Sequence, residues 1–276
     1  MSFANITELN VALNRLKGLT ISEIASADNM IKLRTQWREV YDGTRKYIEK
    51  QIVNDIIEQD FFGVPRNSSD RPDLILEDED EYELKVSHLF KSRGLIRPKY
   101  RLVLKVLNYQ DMANYADWKQ SALYKKLRQM VIVFYYKDEV KPPWEWIVTN
   151  AFVWLSSEYD EDIQRDYTIT RNKVLAGEKI SESDTELLAN CPKHNSKFCW
   201  WCHVGEVCNN PKKRHPAPHP VLDGALRLHP ALGMAERRGY CIPAQYMATI
   251  FSKEIGVKLK RIRTSYGVPI EEVPYL

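Results

Sequence analysis

The segment Pro72-Asp-Leu-Ile-Leu-Glu-Asp-Glu-Asp-Glu-Tyr-Glu-Leu-Lys-Val86 constrains this chain more than any other. Two short apolar runs, Asp73-Leu-Ile-Leu and Tyr82-Glu-Leu-Lys-Val, flank the acidic run Glu77 to Glu81. Strand side chains alternate faces, so Glu83 and Lys85 share one face while Leu84 points into the core. If the acidic run is a turn, the two strands form a hairpin and Asp73 lies beside Glu83. Two adjacent carboxylates repel unless a divalent cation sits between them. Mg²⁺ suits such a site, because a few carboxylates hold it while it keeps several waters. An adjacent lysine can orient or activate a water and offset charge building on a phosphate. That layout serves metal-assisted phosphodiester hydrolysis. The same residues also describe an exposed strand with an i,i+2 ion pair, since E-x-K is frequent by chance.

Around this segment the periodicity alternates between helix and strand. Ile6 to Leu16 carries apolar residues three and four apart, and Thr20-Ile-Ser-Glu23 reads as a capping box opening a second helix. The pattern predicts a longer amphipathic helix from Trp37 to about Phe62, ended by Gly63-Val-Pro. Tyr100 to Leu107 and Met130 to Tyr136 read as a third and a fourth strand, the latter preceded by a helix from about Trp118 to Arg128. Glu158 to Ala176 reads as a charged helix, and Tyr240 to Ile255 as a return to regular structure after an irregular stretch. The mixture predicts an α/β (α+β) fold with a mixed sheet flanked by helices. Lys141-Pro-Pro is taken as the break between lobes at 1–141 and 142–276, with a Cys/His-rich insertion at about 191–230.

Bulk properties exclude little. A net charge of +3 and 44% hydrophobic residues describe an ordinary globular chain that permits nucleic-acid binding without arguing for it. No apolar run is long enough to span a bilayer, and the first residues lack the pattern of a signal peptide. Four of the 5 cysteines lie between Cys191 and Cys208, which points to a reducing compartment, with cytoplasm as the expected location, and to a metal cluster in place of disulfides.

Several segments resemble, in order, the family of the mismatch-repair nicking endonuclease MutH and its GATC-cutting restriction relatives. Leu16-Lys-Gly-Leu-Thr-Ile-Ser-Glu-Ile-Ala25 is similar to that family's G-x-T-L-x-E-L-A stretch, and Tyr82-Glu-Leu-Lys-Val86 to its V-E-L-K strand. Arg101-Leu-Val-Leu-Lys-Val-Leu-Asn-Tyr109 resembles the following strand of the restriction branch. Gly177 to Leu188 resembles its G-x-x-H-x-I-S-E-x-D-T-x-Y-L segment, and Arg238 to Met247 its near-terminal A-F-x-L-K-x-S-Y-M stretch. The resemblance implies a restriction-endonuclease-like PD-(D/E)xK core with a C-terminal DNA-recognition lobe. It implies Asp73 and Glu83 as Mg²⁺ ligands, with Leu84 as a further metal-site position, and Lys85 as the catalytic lysine. Glu58 matches a helical glutamate near the metal, and Lys126 a helical lysine near the scissile phosphate. Each also has a plainer reading: Glu58 as one charge on a solvated helix face, Lys126 as a favourable charge at a helix C-terminus. The acidic run is longer than the family's spacing and leaves open whether Asp73 or a turn acid is the first ligand.

The family's base-reading positions correspond here to Pro192 and Lys193, then Tyr240 and Cys241. Between them, Cys191, Cys199, Cys202 and Cys208 suit a tetrahedral Zn²⁺, with His194 or His203 as alternative ligands and free thiols or a redox C-x-x-C as alternative readings. Lys212-Lys-Arg-His215 is a small basic patch suited to phosphates, or a solvated turn. The leading expectation is a Type II restriction endonuclease acting on double-stranded DNA at GATC-containing sites, as a homodimer on a palindrome because each chain has one active site. The alternatives are a monomeric MutH-like nickase and a non-catalytic zinc-containing DNA-binding protein on the same scaffold.

Overall fold

The computed structural model describes residues 2–65, 71–92, 95–98, 100–107, 109–176, 184, 185, 187, 189–192, 238–242, 244, 247, 251, 258–263 and 269–273. Contacts divide the chain into two units: Met1–Tyr100 with Gln129–Leu155 and Met247–Leu276, and Arg101–Arg128 with Ser156–Tyr246. The mixed α/β composition expected from the sequence is present in the element order.

The first unit is built on a mixed sheet. Its strands are β1 (Leu74–Ile75), β2 (Glu81–Ser92), β3 (Leu95–Pro98), and beyond the first part of the other unit β5 (Gln129–Tyr136) and β6 (Ile147–Leu155). The order is β1-β2-β5-β6, with β3 also paired to β2. β2 and β5 run parallel from Glu83↔Met130 to Leu89↔Tyr136, and the other pairings are antiparallel. Met130 to Phe134 are each 0% exposed. A continuous apolar run is what a strand covered on both faces requires.

Helices cover this sheet for local reasons. In α1 (Ile6–Leu16) the side chain of Asn5 accepts from Thr7 N and Glu8 N, satisfying two open donors of the first turn, while Leu9, Leu13 and Leu16 form the buried stripe. That stripe packs against β6. The Thr20/Glu23 capping box opens α2 (Ile21–Ile24) as the sequence predicts. The long helix expected from Trp37 to Phe62 is not continuous. α3 (Ala27–Tyr41) stops at Asp42, whose side chain accepts from Thr44 N, and Gly43 adopts φ +82°. A left-handed glycine ends a helix at little steric cost, so the apolar periodicity spans a real break. The chain resumes as α4 (Lys50–Asp55), which widens into a π-helical turn at Ile56–Phe61.

The second unit contains β4 (Leu102–Val106), α5 (Tyr109–Asn114), α6 (Ala122–Leu127), α7 (Asp160–Ala176), β7 (Ala189–Pro192) and β8 (Arg238–Ile242). The expected third strand is therefore present, but it belongs to a separate antiparallel sheet of order β4-β8-β7. The helix expected over Trp118 to Arg128 is a 3₁₀ turn at Trp118–Gln120 followed by α6, because Ser121 is extended and its hydroxyl caps Leu123 N. α7 buries Ile163, Tyr167, Thr170 and Val174, at helical spacing. Arg171 on the same helix donates to the carbonyls of Met112 and Ala113 at the end of α5. Lys141-Pro-Pro lies between β5 and β6, which pair in one sheet. A hairpin of β9 (Lys258–Arg263) and β10 (Pro269–Val273) completes the described elements. Among the described residues no helix is long and apolar enough to cross a membrane.

Candidate active site on the β1–β2 hairpin

The acidic run is a turn. Leu76 N donates to Asp80 O at 2.9 Å and Glu79 N to Leu76 O at 3.1 Å, with Glu79 in the left-handed region at φ 70°. The turn is also tied to the start of the chain, through Glu77 N to Phe3 O at 3.0 Å and Asp78 N to Ala4 O at 3.2 Å. Glu77, Asp78, Glu79 and Asp80 are exposed, while Glu81 is half-buried at the start of β2. The hairpin register pairs Leu74 with Tyr82 and Ile75 with Glu81, so one step back Asp73 stands at the level of Glu83. Leu74, Leu76, Tyr82, Leu84 and Val86 all enter the hydrophobic core. Asp73, Ile75, Glu81, Glu83 and Lys85 consequently share the other face, since a one-residue slip would turn every one of the leucines outward.

Within that face the carboxylates have defined partners. Asp73 Oδ2 accepts from Leu84 N at 3.0 Å, which holds the first acid against the strand carrying the second. Glu83 is 4% exposed, and its Oε1 accepts from Lys85 Nζ at 2.5 Å. Burying a carboxylate is costly without a partner, and Lys85 supplies one. Asp73, and not an acid of the turn, is thus the residue placed beside Glu83. Two carboxylates on adjacent strands with a lysine on the same face are a donor set that fits a hard divalent cation which keeps most of its waters. Among the described residues no group of three or more His, Cys, Asp or Glu side chains could hold a metal ion. A cation here would rest on this carboxylate pair and on oxygens other than carboxylates.

Glu58 lies in the first unit, inside the π-helical turn, which packs against β2. Phe62 N donates to Ile57 O at 3.3 Å, the five-residue spacing of a π-turn, and Val64 N closes the end of the turn by donating to Glu58 O at 2.8 Å. Such bulges recur at functional sites. The turn is held by Asp60, whose carboxylate accepts from Ser26 N at 2.8 Å and from Asn29 Nδ2 at 2.9 and 3.1 Å. The sequence offered no signal for this clamp, because Asp60 and Asn29 read as ordinary polar residues of two helices. Lys126 belongs to the second unit, on the last turn of α6, and is 7% exposed.

Of the expected base-reading positions, Tyr240 and Cys241 lie on β8 and are 2% and 1% exposed. The Tyr240 ring stacks on Tyr167 of α7, with centroids 6.4 Å apart, and its hydroxyl donates to Met112 Sδ at 3.4 Å. Pro192 ends β7. Lys193, Lys212, His194, His203, Cys199, Cys202 and Cys208 lie outside the described residues, and of the expected zinc ligands only Cys191 falls in a described strand.

Parts of the chain are similar to known proteins. Residues 62–166 match the family model of the DNA mismatch repair enzyme MutH. The chain is also similar to the Type II restriction enzyme Sau3AI of Staphylococcus aureus, with 29% identity over 150 residues, covering 52% of this chain and 30% of that enzyme. The chain therefore aligns with less than a third of the length of that relative. The matching family is named for DNA mismatch repair and the relative for restriction, and the family match contains Asp73, Glu83 and Lys85.

Proposed function

We propose that this chain, whose residues 62–166 match the MutH family model, is a Mg²⁺-dependent, sequence-specific endonuclease of the Type II kind, cutting double-stranded DNA at GATC-containing sites. The observation that carries the reading is the β1–β2 hairpin, with the Asp73 carboxylate on Leu84 N and Lys85 paired to Glu83. A divalent cation at Asp73, Glu83 and Leu84 would supply the positive charge that polarises a phosphodiester. Asp73 and Glu83 bind that cation and are held in place by the strand register. Lys85 keeps a proton-bearing nitrogen beside Glu83, where it can orient a water and offset charge growing on the phosphate. Glu58 is assigned to the edge of the same site, and Lys126 to a phosphate near the cut.

Recognition is assigned to the second unit, through Lys193, which follows Pro192 at the end of β7, with β8 and its buried Tyr240 and Cys241 as the supporting strand and Lys212 as a phosphate contact. Specific readout needs groups that reach base edges from a fixed backbone, and paired strands supply one. With one hairpin site per chain, double-strand cutting on a palindrome calls for two chains, so a homodimer forms at least on DNA. A structural Zn²⁺ at Cys191, Cys199, Cys202 and Cys208 is proposed from their spacing. The clustering of four cysteines between Cys191 and Cys208 supports a reducing compartment, the cytoplasm.

The test is digestion of defined DNA, with and without adenine or cytosine methylation, followed by sequencing of the ends. Ends that map to GATC support the target. Ends at an unrelated sequence overturn the GATC assignment while leaving the endonuclease.

A further inference from the structure

Resting on the reading of the second unit as the base-reading part, we propose that Asp166 of α7 is a positioning residue for DNA specificity, locking the segment that enters β7. The case comes from a buried charge that the hairpin site does not use. Asp166 is 1% exposed, and its Oδ2 accepts from the backbone N–H of Leu187 at 2.7 Å. A carboxylate is kept in such a place only where its donors are fixed, and a charged acceptor makes a shorter, stronger bond to an amide than a neutral one.

The lock does not act alone. Lys173, two turns further along α7, pairs with Asp184 at 2.7 Å, and Thr185 between the two anchors is 6% exposed. Residues 184 to 187 are thus tied to one helix by an ion pair at one end and by the Asp166 carboxylate at the other. Ala189 opens β7 two residues later, and β7 pairs with β8 from Ala189↔Cys241 to Pro192↔Arg238. β8 rests on the same helix, through Tyr240 stacked on Tyr167. Tyr167 follows Asp166 directly, and its hydroxyl donates to Tyr115 O at 3.0 Å. Adjacent residues of α7 therefore hold the two strands between which Lys193 and the cysteine-rich insertion depart and return.

A positioned backbone matters for specificity because a displaced group loses hydrogen bonds to the right base before it loses phosphate contacts. Freeing residues 184 to 187 from α7 should lower discrimination more than it lowers cleavage of the preferred site. D166N keeps the size of the side chain and an acceptor oxygen but removes the charge that holds the Leu187 amide. K173M removes the more exposed anchor and stands in if D166N does not fold.

The experiment uses the full chain on two duplexes, one bearing the site at which wild type cuts and one with a single base pair of that site changed. The kcat/KM ratio for the pair is expected to fall about tenfold in D166N and about threefold in K173M, within what one mismatched pair is worth. V174A, which leaves a cavity under the same helix, should lower Tm without changing the ratio. An unchanged ratio in folded D166N, or in K173M where D166N does not fold, overturns the proposal alone, and so does an equal fall in V174A. A wild type that cuts both duplexes equally overturns the base-reading assignment and the proposal together.

Discussion

Glu83 and Asp166 are carboxylates less than 5% exposed, one in each unit, and each is met by a specific donor, Lys85 Nζ in one case and Leu187 N in the other. Glu83 was legible in the sequence, because E-x-K on an alternating strand places both charges on one face. Asp166 was not, because in Asp160-Glu-Asp-Ile-Gln-Arg-Asp-Tyr it reads as one more charge on a solvated helix. The tertiary position of Leu187 brings a backbone donor to it. Its neighbour Tyr167 supplies a prediction at the same scale. Burial pushes the Tyr167 phenol up to about 12, from an ordinary value near 10. A raised folded-state value means that the folded chain holds its proton more tightly. The resulting stability is complete below about pH 10 and is lost as pH rises toward 12. In Y167F that titration is absent, while the hydrogen bond to Tyr115 O is lost at every pH, at a cost of about 1 kcal/mol. The Tm difference between wild type and Y167F should therefore shrink between about pH 8 and about pH 11, as read by circular dichroism. Parallel curves would contradict the burial assigned to this phenol.

At the scale of elements, α1, the Thr20 capping box, the β1–β2 hairpin and β5 follow from local pattern, since each carries a full period of its own burial. β6 did not show itself. Its alternation is interrupted at Thr149, where the register to β5 shifts between Phe134 and Tyr135 and the Thr149 hydroxyl turns back to Phe134 O. An extra residue in one strand moves every later side chain to the opposite face, so a period-two search loses it. Tyr240 and Cys241 correspond in sequence to the family's base-reading positions, yet they face the interior of the second unit, where Tyr240 meets Tyr167. The β7–β8 pairing also bears on the cysteine-rich insertion. Pro192 and Arg238, which flank residues 193–237 in sequence, are register partners of β7 and β8. That segment is poor in aliphatic residues and rich in turn formers, and a metal can supply the ordering that a core would otherwise provide. About one equivalent of zinc per chain is expected in protein purified without chelator, and C202S should lose it while added Mg²⁺ fails to restore specific binding. Less than about a tenth of an equivalent, with all thiols reactive, would remove the zinc from the account.

At the scale of the molecule, the chain joins a family-matched stretch, residues 62–166, to flanking segments that carry α1–α4 of the first unit and the strands β7 and β8 of the second sheet. The match crosses both contact-defined units, because β2 and β5 belong to one while β4, α6 and the start of α7 belong to the other. Sequence order alone favoured a single break at Lys141. The fold instead returns to its first sheet after residue 128, and such a return is visible only once strand partners are known. The central claim is that one hairpin, with Asp73, Glu83 and Lys85 on a common face, makes this chain a DNA-cutting enzyme. The most direct measurement incubates supercoiled plasmid and Mg²⁺ with wild type and with K85A, and follows DNA binding of both by gel shift. Wild type should give linear fragments, whereas K85A should bind with similar affinity and cut at least about a hundredfold more slowly, the scale of losing one group that stabilises transition-state charge. Nicked circles alone would move the chain to single-strand cutting. Intact supercoiled DNA with wild type, or K85A cutting at the wild-type rate, would contradict the account.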